Sequence, residues 1–401
     1  AAGEPFDPNI HYPSEIIDPF TDACMDAIKG RIVYLETSRG CPFSCAYCLS
    51  GDSAVQFFPM DIAKNQIEKL SKADVRVIKF VDRTFNADRE RAYELFEFII
   101  NLDTANRFHF EVGADLFDER TLELLATAPV GRMQFEAGLQ SFFKPALDAS
   151  ARYMDLQKAM ENICTILNNG NIHIHLDLIA GLPHETLGDF ENSFNQTYAA
   201  QPHKLQLGFL KLLHGSALRK NFKEILHDAA PPYEIKSSPW MSAADLKILK
   251  QTEDALQNTY NKGHFLSTLK YVLNASKMSP FEFYRALGQR VKKDGMALDA
   301  YTERIFDFCI RLDGTTRESL LENMICDWLG MVKGSNMPAF MKLYDKKQLS
   351  EIIKTAEQKL GRKIRRNQAA VLPCGKGIFV DSESRDPITN LYNLHFVATN
   401  T

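Results

Sequence analysis

From residue 31 to about residue 212 the sequence alternates β-rich runs with helical periodicity, and few folds accept that pattern. The runs are 31–36 (RIVYLE), 75–81 (VRVIKFV), 108–112 (FHFEV), 132–135, 172–179 (IHIHLDLI) and 205–210 (LQLGFL). Between them apolar residues recur at helical spacing: Ala92, Leu95, Phe96, Ile99 and Ile100, then Leu156, Met160, Ile163 and Leu167, then Phe190, Phe194 and Tyr198. Strands that alternate with helices pair in parallel, and right-handed crossovers curl them into a barrel. The expected fold class is therefore α/β, a partial (β/α)6 TIM-like barrel. Chemistry in such barrels sits at the C-terminal ends of the strands. Those ends carry residues 41–48, Asp82-Arg83-Thr84, Glu111, Glu136 with Gln140, Asp177 and Lys211.

The rhythm stops near residue 213. Pro231-Pro232 and Ser237-Ser238-Pro239 read as a linker, and Ser242 is a good N-cap for a helix to about Thr259. Helical patterns then run to about Leu360, including 317–332, and the tail 369–396 has the composition of a β hairpin. The expected organisation is a lead segment (1–30), the barrel (31–212) and a mostly helical C-terminal domain or extension (213–401). The 47 basic and 51 acidic side chains give a net charge of −4, which argues against a nucleic-acid partner. No run approaches the roughly 18–20 apolar residues that span a bilayer, and the start AAGEPFDPNI has no signal-peptide pattern. A soluble, cytoplasmic protein is expected.

Eight cysteines are too sparse for a disulfide framework. Cys24, Cys164, Cys309, Cys326 and Cys374 are scattered and read as small hydrophobes. Cys41, Cys45 and Cys48 instead form a tight C-x3-C-x2-C cluster. Iron–sulfur cubanes normally take four cysteines, so three would leave one iron open to a small molecule. A zinc site completed by a distant residue, in a non-catalytic scaffold, is the competing reading. It lacks the second short ligand hook usual in structural zinc sites.

The segment GCPFSCAYC (40–48) at the end of a first barrel strand resembles the radical S-adenosylmethionine (SAM) superfamily. That resemblance implies a 4Fe–4S cluster on Cys41, Cys45 and Cys48 whose fourth iron chelates SAM, and hence an enzyme. Its chemistry would be reductive SAM cleavage to a 5′-deoxyadenosyl radical that takes hydrogen from a substrate. GLQS (138–141), Arg152 and DLIAGLPHET (177–186) resemble the core shared with oxygen-independent coproporphyrinogen oxidase-like proteins. The resemblance then implies that Glu111 and Gln140 hold the ribose hydroxyls, Arg152 the SAM carboxylate and Asp177 the nucleoside. Adenine would lie against Tyr47 and the backbone near Leu210, with Gly181 edging its pocket. Glu136 would bond SAM or brace the barrel. DRTFN (82–86) replaces the superfamily's glycine-rich second-strand segment, leaving the backbone around Asp82 and Thr84 for the SAM amino group. His173 and His175 read as barrel-filling polar residues.

RIVYLETSRGCPFSCAYCLSG, KFVDRTFN, FEAGLQS and LQLGFLKLLHGSALR further resemble radical SAM cores that follow a cobalamin-binding domain. The region beyond residue 213, with PPYEI (231–235), resembles an uncharacterised helical extension of one such group. The D-x-H-x-x-G motif of the cobalamin domain does not occur here, so cobalamin-dependent methyl transfer or rearrangement is the alternative reaction, with cobalamin as an additional cofactor. An electron donor such as flavodoxin or ferredoxin is the implied partner, and a small molecule or peptide the implied substrate. Cys374, in LPCGKG, would matter if the tail folded over the barrel mouth.

Overall fold

The computed structural model describes residues 18–51, 53–331, 336–342 and 346–398. Residues 1–17 of the lead segment, and Val332 at the end of the expected 317–332 helix, lie outside these. Six strands form one all-parallel sheet in sequence order: Ile32–Leu35, Val77–Phe80, Arg107–Glu111, Met133–Gln140, His173–Ala180 and Lys204–Phe209. The first and sixth strands do not pair, so the barrel is open on one side. The fourth strand is longer than the 132–135 run suggested, because its second half (Glu136 to Gln140) is poor in β-formers and gains its pairing from the fifth strand.

Alternate residues of these strands face opposite sides. One set (Phe80, Phe110, Phe135) packs with Phe85, Phe96 and Phe117 under the covering helices, in a chain of ring contacts 4.7–6.4 Å apart. The other set is polar: Lys79, His109, Glu111, Glu136, His175 and Asp177. Apolar surface burial thus holds helices to the outside of the sheet, while the inside is left to hydrogen bonding.

The covering helices begin on side-chain caps that the sequence provides. Asp88 caps Arg89–Ile100, Asp118 caps Glu119–Ala126, Asp155 caps Leu156–Asn169, and Thr186 with Asp189 forms a capping box for Leu187–Ala199. Gly170, in the left-handed region at φ +67°, ends the third of these.

The region after residue 213 is mostly helical, as expected, but it shares one continuous apolar core with the barrel. Tyr198 of a barrel helix contacts Tyr260 and Tyr284, and Phe194 meets Phe281 edge-on at 5.5 Å. Ser242 caps Ala243–Asn258. The tail forms a three-stranded antiparallel sheet, Ala369–Val371, Gly377–Arg385 and Tyr392–Val397, rather than a hairpin alone. A short helix (Asp22–Ala27) precedes the first strand. No helix among the described residues is long and apolar enough to cross a membrane.

Candidate active site

The cysteine loop does not simply leave the first strand. It is held in an antiparallel hairpin, Ser38–Cys41 against Ser53–Phe57. Asp82, at the end of the second strand and 1% exposed, pins its base. The carboxylate accepts from Thr37 N (3.0 Å), Thr37 Oγ1 (2.7 Å) and Ser38 Oγ (2.6 Å). Burial nonetheless pushes the Asp82 carboxyl above its ordinary range. The loop then closes on itself at Gly51, where a Cβ would sit 2.6 Å from the Phe43 carbonyl oxygen. Ala46 N donates to Ser150 O (2.8 Å), and Leu218 N donates to Ala46 O (2.8 Å).

Two of the three sulfurs have a hydrogen-bond donor beside them, and the third lies near a hydroxyl. Ser50 N donates to Cys48 Sγ (3.3 Å), Arg152 Nη1 approaches Cys45 Sγ (3.7 Å), and Thr84 Oγ1 lies 3.6 Å from Cys41 Sγ. Such donors suit thiolates. Among the described residues only Glu136, His175 and Asp177 gather ligand atoms within 4.8 Å of one another. At least one pair of the cysteine sulfurs therefore stands farther apart than the ~3.8 Å expected around a single tetrahedral zinc with ~2.3 Å bonds.

A cavity of about 190 Å³ opens beside the sulfurs. It is lined by Cys41, Cys45 and Cys48 from the loop, and by Tyr47, Thr84, Glu111, Glu136, Gln140, Arg152 and Asp177 among the other sequence-derived candidates. Arg152 Nη2 donates to Gly138 O (2.8 Å), which aims the guanidinium across the cavity towards Cys45. Gln140 sits in the left-handed region at φ +69°, a costly conformation for a side chain of this kind. Its amide folds back over Gly138, where a Cβ would meet Gln140 Nε2 at 2.0 Å.

Below lies a charged floor. Glu136 Oε2 is 3.0 Å from His109 Nε2, 3.5 Å from Lys79 Nζ and 3.8 Å from His175 Nδ1. The hydrogen bond from His109, with the charges of His175 and Lys79, holds the Glu136 carboxyl down at about 2. Glu111 pairs in register with Glu136, and burial together with that neighbouring charge raises its pKa. His175 Nε2 lies 3.0 Å from Asp177 Oδ1, yet poor alignment leaves both atoms without a hydrogen bond. Burial raises the Asp177 pKa. Because Lys79 and a hydrogen bond to His109 already serve Glu136, this floor reads as a closed polar network rather than a separate metal centre.

Three candidates fall outside the cavity wall, each for a physical reason. The Asp82 carboxylate is consumed by the hairpin base. Leu210 is buried, its N–H donating to Ala180 O and its carbonyl accepting from Ile235 N. Gly181 (φ +89°) packs against Ile235, which a Cβ would meet at 2.8 Å. Lys211, expected at the sixth strand end, is exposed and bridges to Glu234. His173 stacks on His203 (5.0 Å) and does not line this cavity. Cys374 is exposed, its N–H donating to Glu322 in the helical region, and it too is absent from the cavity wall. Conversely, sequence reasoning missed Phe43, Tyr153 and Met154. Their adjacency to Cys41 and Arg152 was the signal that could have found them.

Residues 35–196 match the model of the radical SAM superfamily. The barrel belongs to that superfamily. Radical SAM proteins are enzymes that use a 4Fe–4S cluster and SAM and need a reductant. Residues 222–371 match a second family, described as a protein of unknown function (DUF4080). The chain is 26% identical over 235 residues to the oxygen-independent coproporphyrinogen-III oxidase-like protein HemZ of Bacillus subtilis, covering 54% of this chain and 46% of that one. It is 25% identical over 185 residues to the cobalamin-dependent radical SAM methyltransferase TokK of Streptomyces tokunonensis, covering 42% of this chain and 26% of that one. The chain thus spans less than half the length of either relative. A solved structure of the radical SAM methyltransferase TsrM from Kitasatospora setae aligns at 15% identity and a TM-score of 0.45, over 51% of this chain and 40% of that one.

Proposed function

We propose that Cys41, Cys45 and Cys48 hold a 4Fe–4S cluster and that the adjoining cavity binds SAM for reductive cleavage. The observation that carries this reading is the pairing of three sulfurs, each with a polar neighbour, with buried polar atoms that have no hydrogen-bond partner. Gln140 Oε1 and Arg152 Nε belong to residues that line the same cavity, and both atoms lack a partner. Leaving buried polar atoms unpaired costs about 1–3 kcal/mol each, which a polar ligand recovers. When bound, the cluster supplies one electron to SAM, giving methionine and a 5′-deoxyadenosyl radical that abstracts hydrogen from a substrate.

The protein's own part is positioning. Arg152 offers a planar fork to the SAM carboxylate while also supporting Cys45. Glu111 and Gln140 supply acceptors for the ribose diol, Asp177 and Glu136 extend that polar wall, and Tyr47 closes the cavity beside Cys45. The Thr84 hydroxyl and its backbone serve the amino group. Residues 213–401 act as a structural extension of the barrel, with an external flavodoxin or ferredoxin as reductant and a cytoplasmic location. The test is anaerobic reconstitution of the full chain. About four irons per chain and 5′-deoxyadenosine on reduction are expected; one equivalent of zinc with no 5′-deoxyadenosine would overturn the reading. TokK is named as a cobalamin-dependent methyltransferase, so S-adenosylhomocysteine formed only when cobalamin is added would shift the assignment to methyl transfer.

A further inference from the structure

Gln140 and Arg152 lie at the two ends of one short segment, and the structure anchors that segment from behind. Immediately after Gln140, Ser141 Oγ accepts from Phe143 N (2.9 Å), and Ser193 Oγ accepts from Phe142 N (2.9 Å). Ser141 Oγ donates to Glu185 Oε1 (2.5 Å), and Ser193 Oγ donates to Asp189 O (3.0 Å) within its own helix. Ser141, Glu185 and Ser193 are all fully buried. The segment continues through the short helix Lys144–Ala149 to Ser150, whose carbonyl accepts from Ala46 in the cysteine loop. It ends at Arg152, whose N–H donates to Leu147 O (2.9 Å). Gln140 and Ala151 both take left-handed backbone conformations (φ +69° and +48°). Such residues persist only where the surroundings over-determine them.

We infer that Glu185 is a positioning residue: with Ser141 and Ser193 it fixes the turn that carries Gln140 and, through the following helix, Arg152. Glu185 touches neither the cavity nor the cysteines. It acts by holding the Ser141 hydroxyl, which in turn accepts from the Phe143 amide, while Ser193 accepts from the Phe142 amide just after the Gln140 turn. This inference rests on the reading of Gln140 and Arg152 as cofactor contacts.

The carboxyl does this work in its neutral form. Burial raises its pKa to about 8, against the bond from Ser141, and Asp189 is the charged group that faces it and adds to the rise. The remaining oxygen, Oε2, has no partner, and a neutral acid tolerates that far better than an anion would. The linkage sign follows. An acid whose pKa is raised on folding stabilises the protein fully below its unfolded value of about 4.5 and loses that contribution as pH rises through about 8.

The experiment compares Glu185→Gln and Glu185→Ala in the full, cluster-loaded chain. Glu185→Gln, which keeps the neutral acceptor, retains KM for SAM within about twofold; Glu185→Ala raises it about tenfold, with iron content unchanged. Unfolding followed against pH gives a second readout. Between about pH 5 and 8 wild type loses more stability than Glu185→Gln, which lacks this one group's contribution. Wild-type KM in Glu185→Ala, or equal damage in both variants, overturns the inference, as does an unchanged pH profile in Glu185→Gln. Should Glu185→Ala fail to fold, Ser141→Ala replaces it with the same expected rise in KM. Failure of the wild type to release 5′-deoxyadenosine defeats the cofactor reading, while the pH comparison still decides whether a neutral Glu185 braces the turn.

Discussion

Two buried polar constellations in this chain are built on opposite principles. In the helical half, Asp327 lies on the helix Arg317–Met331 and accepts from Ser267 N (2.9 Å), Thr268 N (2.9 Å) and Thr268 Oγ1 (2.7 Å). These are orphan donors at the start of the helix Leu266–Ser276, whose N-cap residue, Phe265, has no side chain able to cap it. A carboxylate from a neighbouring helix completes the cap. At the barrel mouth, by contrast, Gln140 and Arg152 each keep a buried atom without a partner. Both regions bury charge; only one satisfies it internally. The difference teaches where a ligand belongs, because polar groups left unpaired in a folded core are stored binding energy for something polar.

The comparison breaks most visibly at the cysteines. Replacing Cys41, Cys45 or Cys48 with Ala should abolish iron retention and 5′-deoxyadenosine formation together, measured by iron assay and product chromatography. A variant that kept both would remove the mouth from the chemistry. Next comes Arg152. Arg152→Lys retains a charge but not the fork, so SAM affinity should fall by about 2 kcal/mol, roughly thirtyfold, in equilibrium binding to cluster-loaded protein. Unchanged affinity would mean that Arg152 serves Cys45 and Gly138 O alone.

Much of the barrel was legible because its signals are local. Apolar alternation marked the strands 77–80, 107–111 and 173–180, helical spacing marked the covering helices, and polar residues at the strand ends marked the mouth. What stayed hidden depends on distant partners. The hairpin Ser38–Cys41 with Ser53–Phe57 has no alternation to betray it, and nothing in the sequence links the Asp82 carboxylate to Thr37 and Ser38. The same holds for Leu210 and Gly181. Their place depends on Ile235, which the sequence places in a linker, although it packs against the sixth strand's end. The aromatic cluster of Phe194, Tyr198, Tyr260, Phe281 and Tyr284, which joins the barrel to the region beyond 213, stayed hidden as well, since residue types alone do not say which apolar faces meet.

On the satisfied side, Asp327→Ala leaves two amides and a hydroxyl without their acceptor. A loss of about 3 kcal/mol in unfolding free energy is expected by chemical denaturation, with SAM turnover per folded molecule unchanged. Loss of turnover in properly folded Asp327→Ala would show that the two constellations are coupled.

The smallest effect is the most discriminating. Gln140 occupies φ +69° so that its amide can lie over Gly138 and face the cavity. Glycine adopts that conformation without steric cost, so Gln140→Gly should relieve about 1 kcal/mol of strain, offset in part by a more flexible unfolded chain. The same change deletes a candidate ribose contact and should weaken SAM binding several-fold. Stability held or slightly raised while affinity falls would mean that strain at the mouth is maintained for the ligand, as the contrast with Asp327 implies. Were both to fall together, Gln140 would instead be an internal brace, and the mouth would resemble the helical half after all.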